Sequence, residues 1–175
     1  MIVGVDYSMT SPCVCINNNN IFSFHYLTDK KKYTGIIQTN NINFTIQGYP
    51  HKPYLNNIER FNNIANWVLS LLNKNDTIKL EGYAMGITKG LVFNIGELTG
   101  ILKLRLWENN YNIESIAPSA NKRFATGKGN ANKDIMFNAF LSETKLDLLS
   151  LFNCNKVVNP ISDIVDAYYL NKYII

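Results

Sequence analysis

Two segments of this 175-residue chain end in an acid after an apolar run: MIVGVD stops at Asp6, and DTIKLE stops at Glu81. A third segment, SDIVDAYYL, places Asp163 and Asp166 three residues apart. On a helix such a pair shares one face, with Cβ atoms about 5–6 Å apart. Like charges at that separation repel, and a cation between them removes the cost. Four carboxylates, with no histidine or cysteine at metal-ligand spacing, describe a site for hard cations of the Mg²⁺ or Mn²⁺ kind. Two such ions about 3.5–4 Å apart activate a water and stabilise the leaving oxygen of a phosphodiester. Hydrolysis of a nucleic-acid backbone is therefore the chemistry these residues suit. The plainer alternatives are that Asp6 and Glu81 simply terminate strands, and that Asp163 and Asp166 are solvated acids favoured by a helix dipole.

The elements around these acids follow from periodicity. Residues 2–6, Cys13 to Ile16 and Ile21 to Tyr26 read as three successive strands separated by turn-rich segments. The polar stretch 28–53 holds candidate edge strands at Gly35 to Gln38 and Ile42 to Gln47. Leu55, Ile58, Phe61, Ala65, Val68, Leu69 and Leu72 recur at three- and four-residue steps and predict a helix of about five turns. Thr77 to Glu81 is a strand, the segment to about Asn94 a glycine-rich loop, Ile95 to Trp107 a helix, and Ile113 to Ile116 a fifth core strand. Pro118 starts a short helix that Gly127-Lys128-Gly129 breaks. Asn132 to Leu141 is another, and Asn159-Pro160 opens the last. Strands aligned so that Asp6 and Glu81 lie side by side would open a ligand crevice at their carboxyl ends. The order predicts one α/β domain over 1–175, a mixed five-stranded sheet with helices on both faces.

A formal net charge of +4 and a pI near 8.9 suit a polyanionic partner without proving one. Lys122, Arg123, Lys128 and Lys133 cluster around two glycines, where cations can meet phosphates without reading base sequence; a solvated surface turn would look the same. Ser119 to Lys122 fits SxxK without its companion motifs, and Gly127-Lys128 lacks the rest of a P-loop. The odd set Cys13, Cys15 and Cys154 lacks zinc spacing and reads as reduced and mostly buried, in a cytoplasmic or other reducing intracellular compartment. No apolar run approaches the roughly 20 residues of a membrane span, and the opening residues read as a strand, not a signal.

Taken in order, IVGVD, LEGYAMG with FNIGELTG, APSANKRFATGKGNANKD and SDIVDAYYL resemble the RuvC family of Holliday junction resolvases, most closely its phage-type members. The resemblance spans most of the chain and implies a ribonuclease H-like fold. It further implies metal ligation by Asp6, Glu81, Asp163 and Asp166, with two Mg²⁺ ions for which Mn²⁺ substitutes. Lys122 and Lys133 would stand near the scissile phosphate. The implied partners are four-way or branched DNA and a second copy of the chain, and a viral source acting in a host cell is compatible with them. The family wedges an apolar loop residue into the junction, a role open to Tyr83 or Met85, for which a core contact is the alternative. Ser8 replaces a family glycine, and 28–53 has no counterpart. The 95–107 helix is apolar over a face wide enough to include a dimer surface, although core packing also accounts for it.

Other readings compete with this one. A nuclease of the same fold acting on flaps, other branches or RNA–DNA hybrid would use the same acids. A non-catalytic nucleic-acid-binding protein would have little reason to keep all four. An actin-like ATPase begins with a similar strand, but 175 residues hold only one of its two lobes.

Overall fold

The computed structural model describes residues 1–83 and 89–174, with the side chains of 89–91 also outside the description. Seven strands form one sheet: β1 (Ile2–Asp6), β2 (Cys13–Asn18), β3 (Ile21–Thr28), β4 (Gly35–Ile37), β5 (Phe44–Pro50), β6 (Thr77–Glu81) and β7 (Asn112–Ile116), in the order β4-β5-β3-β2-β1-β6-β7. Strands β1 to β3 pair antiparallel, whereas β6 joins β1 and β7 joins β6 in parallel. The five core strands expected from sequence are present, and β4 and β5 extend the sheet beyond them. Of the two, only β4 is an edge. The strand β5 lies inside the sheet, parallel to β3, because Phe44, Ile46 and Gly48 alternate toward the core at period two.

Among the described residues six α-helices cover the two faces. Helices α1 (Asn57–Ser70) and α2 (Lys89–Glu108) pack on one side over Val3, Val5, Ile78 and Leu80. On the other lie α3 (Pro118–Thr126), α4 (Lys133–Thr144), α5 (Leu148–Leu151) and α6 (Ile161–Lys172), over an aromatic core including Phe24, Tyr26, Phe140 and Tyr168. Two helix starts and one additional helix depart most from the sequence expectation. Helix α1 begins later, because the Asn56 side chain caps the Glu59 amide at 2.9 Å. Leu55 and Ile58 are consequently exposed, and the buried stripe is Phe61, Ile64, Ala65 and Val68. Helix α2 begins at Lys89, inside the stretch expected to be loop. The short α5 was not expected; Asp147 caps it by accepting from the Leu149 and Ser150 amides at 3.0 and 3.2 Å.

One glycine sets how near α6 comes to the sheet. A Cβ on Gly4 would stand 2.2 Å from the Ala167 carbonyl oxygen and 2.4 Å from the Asn171 nitrogen. The helix backbone therefore rests directly on β1. Asn171 fixes it there, its Nδ2 donating to the carbonyls of Ile2 at 2.8 Å and Cys15 at 3.1 Å. Because both neighbours of the missing Cβ are backbone, no rotamer change relieves a methyl. Gly4→Ala is expected to lower unfolding stability by about 3 kcal/mol or more, read from urea melts. A loss under about 1 kcal/mol would show that α6 shifts freely on β1.

Candidate metal centre

Alternation along the strands decides which way the acids point. Val3 and Val5 face α1 and α2, so Gly4 and Asp6 face α6; on β6, Ile78 and Leu80 face the first side, which leaves Lys79 and Glu81 on the second. The parallel register pairs Val5 with Leu80, so Asp6 and Glu81 are adjacent at the carboxyl end of the sheet. Helix α6 crosses the same face with Asp163 and Asp166 in its first two turns. Three elements thus bring four carboxylates together. Asp6 and Asp163 are buried, and Glu81 and Asp166 are half-buried.

The electrostatic consequence is a set of acids that resist ionisation. Burial, followed by the charges of Glu81, Asp163 and Asp166, pushes Asp6 well above the usual carboxylate range. Burial and the charge of Asp166 raise Glu81 to about 7, although Lys122 pulls it back. Burial raises Asp163 to about 7, against the opposing pull of the Ser11 hydroxyl and Lys133. Asp166 rises to about 6, again through burial, with Lys122 and then Lys133 opposing. Ser11 Oγ is buried without a hydrogen bond of normal geometry, so its effect on Asp163 is one of proximity. Asp163 Oδ2 is likewise buried and unpartnered.

Among the described residues no three acid, imidazole or thiolate groups form a closed ligand set. The donors nevertheless fit a hard cation: all are carboxylate oxygens, at least one is orphaned, and their mutual repulsion is what such an ion relieves. Cys13 and Cys15 are buried free thiols, and Cys154 is half-buried.

The two sequence-selected lysines flank the acids. Lys133, at the start of α4, donates from Nζ to Ser162 Oγ at 3.2 Å and Asn159 Oδ1 at 3.3 Å. With Lys122 and Asp166 it lines a cavity of about 70 Å³. Arg123 and Lys128 are exposed on the same α3–α4 corner, and neither is among the charges acting most strongly on the four acids. On the other flank a cleft of about 260 Å³ is lined by Asp6, Ser8, Met9, Glu81, Tyr83 and Thr99, among others. Tyr83 is 52% exposed, and the Lys103 ammonium lies 5.4 Å from its ring centroid. Met85 lies outside the described residues. Sequence reasoning missed Lys103 and Ser11. The lysine could have been found from helical spacing, since it lies four residues after Thr99, which lines the same cleft, whereas no local signal marks the serine.

No protein-family model and no curated protein matches the sequence. The fold does match solved structures. A Thermus thermophilus RuvC structure aligns over 97% of this chain and 91% of that one, at 14% identity and a TM-score of 0.52. T. thermophilus RuvC in complex with Holliday junction substrate aligns over 97% and 90%, at 13% identity and 0.54. The yeast mitochondrial Holliday junction resolvase Ydc2 aligns over 97% and 75%, at 13% identity and 0.57. The chain therefore has the ribonuclease H-like fold of those resolvases, as the sequence motifs implied. Among the described residues no helix is long and apolar enough to cross a membrane.

The raised acids set a pH dependence. A carboxyl whose folded pKa exceeds its unfolded value binds more protons folded than unfolded. Its stabilising contribution is complete below the unfolded value near 4 and is lost as pH climbs through the folded value, here about 6 to 7. In EDTA the melting temperature is expected to fall between about pH 5 and pH 8, less steeply in Asp163→Asn. Saturating Mg²⁺ at the upper pH is expected to restore several degrees. Melts insensitive to both pH and Mg²⁺ would contradict the assignment of these acids as a cation site.

Proposed function

We propose that this chain is a divalent-metal-dependent endonuclease selective for four-way or branched DNA. The observation that carries this reading is the convergence of Asp6, Glu81, Asp163 and Asp166 from two parallel strands and one helix at a single sheet edge. These four acids would hold two Mg²⁺ ions, with Mn²⁺ as a substitute. Ions so held supply a Lewis acid for the phosphodiester and a lowered pKa for the attacking water. The remaining roles belong to the chain's own residues.

Lys122 and Lys133 reach the acids from the α3–α4 side, where they would hold the phosphate being cut and limit its repulsion by the carboxylates. Arg123 and Lys128, farther out on that corner, would contact the backbone without reading sequence. Tyr83 borders the cleft with its ring half in solvent and Lys103 against it, a pairing suited to an unstacked base at a branch point. Met85, outside the described residues, is proposed for the same role from its sequence position alone. T. thermophilus RuvC, a protein of this fold, holds a Holliday junction substrate in its complex, and that likeness supports a branched substrate here.

Paired cuts on a symmetric junction require two such sites related by a two-fold axis. Helix α2 offers the surface. Leu98, Leu102 and Leu106 are buried against the sheet, whereas Phe93 at 73%, Leu104 at 54% and Trp107 at 71% are exposed. We assign that outer face to a homodimer contact. In light scattering the chain is expected to behave as a dimer and Leu104→Glu with Trp107→Glu as a monomer; a wild-type monomer would remove the symmetric mechanism.

The decisive test is incubation of labelled four-way junction, flap and linear duplex with the protein in Mg²⁺. Asp6→Asn, Glu81→Gln, Asp163→Asn and Asp166→Asn are each expected to abolish junction cleavage while keeping its binding within a few-fold of wild type, because the acids contribute no positive charge to affinity. A folded Asp6 or Glu81 variant that still cuts at a substantial rate would overturn the site, and equal cleavage of the linear duplex would overturn the branch selectivity.

A further inference from the structure

We propose that Lys30, Lys31 and Lys32 form a second phosphate-binding surface, which takes the duplex arm of the substrate as it leads away from the cut. The inference rests on the nuclease reading and adds a contact outside the acid site, in the 28–53 segment for which the family resemblance offers no counterpart.

Sheet register places this segment relative to the acids. Asp6 pairs with Cys13, Cys13 with Tyr26, Tyr26 with Gly48 and Gly48 with Gly35, so these residues form one row across the sheet. Each step is about 4.8 Å, which puts Tyr26 roughly 10 Å and Gly35 roughly 19 Å from Asp6 along the row. The lysines occupy the connection between β3, which ends at Thr28, and β4, which begins at Gly35. They therefore stand at the same sheet edge as the four acids, displaced sideways by about 10–20 Å. At 3.4 Å per base pair that is roughly three to six pairs of duplex.

The connection is also braced. Lys31–Tyr33 form a single 3-10 turn whose Tyr33 is buried. Tyr26 donates its hydroxyl to the Tyr33 carbonyl at 2.6 Å, and the Tyr33 hydroxyl meets Cys154 Sγ at 3.0 Å. The Tyr33 ring packs edge-on against Phe152 with centroids 5.3 Å apart, and the Lys32 ammonium lies 4.6 Å from the Tyr33 ring centroid. All three lysines are exposed, and among the described residues none forms an ion pair. Residues 28–53 contain one acid, Asp29, against four lysines. A solvated charge run needs no such anchoring of its backbone.

A second observation ties the turn to the acid site. Lys133, which acts on Asp163 and Asp166, donates to Asn159, and the chain from Asn159 back to Cys154 passes exposed Lys156 before reaching Tyr33. Cations thus recur along the chain segment that joins the Lys133 contact to the turn. Phosphates spaced along a duplex arm are the anion that such a row fits.

The test uses the full chain carrying Asp6→Asn, in EDTA, with a fluorescently labelled four-way junction whose affinity is measured against salt. Replacing Lys30, Lys31 and Lys32 together by Gln is expected to reduce the slope of log affinity against log salt by about 2–3 for each protomer that engages an arm, about 5 for the dimer. Replacing all three by Arg is expected to retain the wild-type slope. Lys74→Gln, in the loop entering β6 at the opposite sheet edge, is expected to change it little. With Asp6 restored and Mg²⁺ present, the single-turnover cleavage rate at saturating junction is expected to stay within two-fold of wild type in the triple Gln variant, whereas Lys122→Ala or Lys133→Ala lowers it. A triple-Gln slope no different from that of Lys74→Gln overturns this inference and leaves the nuclease reading intact. A parent protein with no salt-dependent junction binding overturns both.

Discussion

Mutual repulsion among four carboxylates at one sheet edge is the constraint on which the rest of this structure depends. Each acid would by itself be an ordinary acid at a strand end or in the first turns of a helix. Together and partly buried, all four are raised first by burial, and Asp6, Glu81 and Asp163 are raised further by the charges of neighbouring acids. A fold that gathers them must offset that cost with packing elsewhere and with countercharge nearby. Lys122 and Lys133 provide the countercharge from the neighbouring helices α3 and α4, so the acids are neutralised in part without being capped. A direct bidentate ion pair would have stabilised them more and closed them to any other ligand.

Holding the acids in place falls largely to α6, whose described residues from Ile161 to Asn171 are buried except for Asp166, which is half-buried. Its contact with β1 has no side chain between the two backbones at Gly4, which brings the Asp163 turn to the level of Asp6. At the other end of the helix, Asn171 spans β1 and β2, and buried Lys79 donates to the Tyr173 carbonyl, a cation placed at the helix C-terminus. Rigid support of this kind suits a site whose members would otherwise move apart.

This division explains what could be read from the sequence. Asp6 and Glu81 were legible because an acid that follows an apolar strand run is conspicuous, and Asp163 with Asp166 because helical spacing puts them on one face. Their convergence was not legible from spacing, since it depends on β1 and β6 pairing in parallel at a register offset of 75 residues, and on Gly4 admitting α6. The apolar pattern of α6 carries little directional information because nearly every side of the helix is buried. Leu55 and Ile58 misled for the opposite reason: they continue the period of α1 on paper, but the Asn56 cap starts the helix after Leu55 and neither side chain reaches the core. The strand β5 was underestimated because its alternation, Phe44, Ile46, Gly48, uses a glycine at the third inward position. That glycine is required because a Cβ there would lie 2.0 Å from the Tyr33 carbonyl oxygen.

The same glycine links the extension of the sheet to the charge distribution of the whole chain. Of the 13 acidic side chains, four are in the cluster, which leaves the 17 lysines and arginines facing nine acids elsewhere. A polyanion approaching the protein is attracted by this surplus and repelled by the cluster until cations occupy it. On the proposed nuclease reading, attraction and chemistry are separable in space: surface lysines would determine where the backbone lies, and the acids would determine what happens at one phosphate. Gly48 lets the Tyr33 carbonyl sit against the sheet, so the lysine turn is fixed relative to Asp6 through five paired strands. A flexible basic tail would supply the same attraction with no fixed distance to the cut. A braced turn supplies attraction together with alignment, which a structure-selective enzyme needs when phosphate contacts alone cannot distinguish one duplex from another.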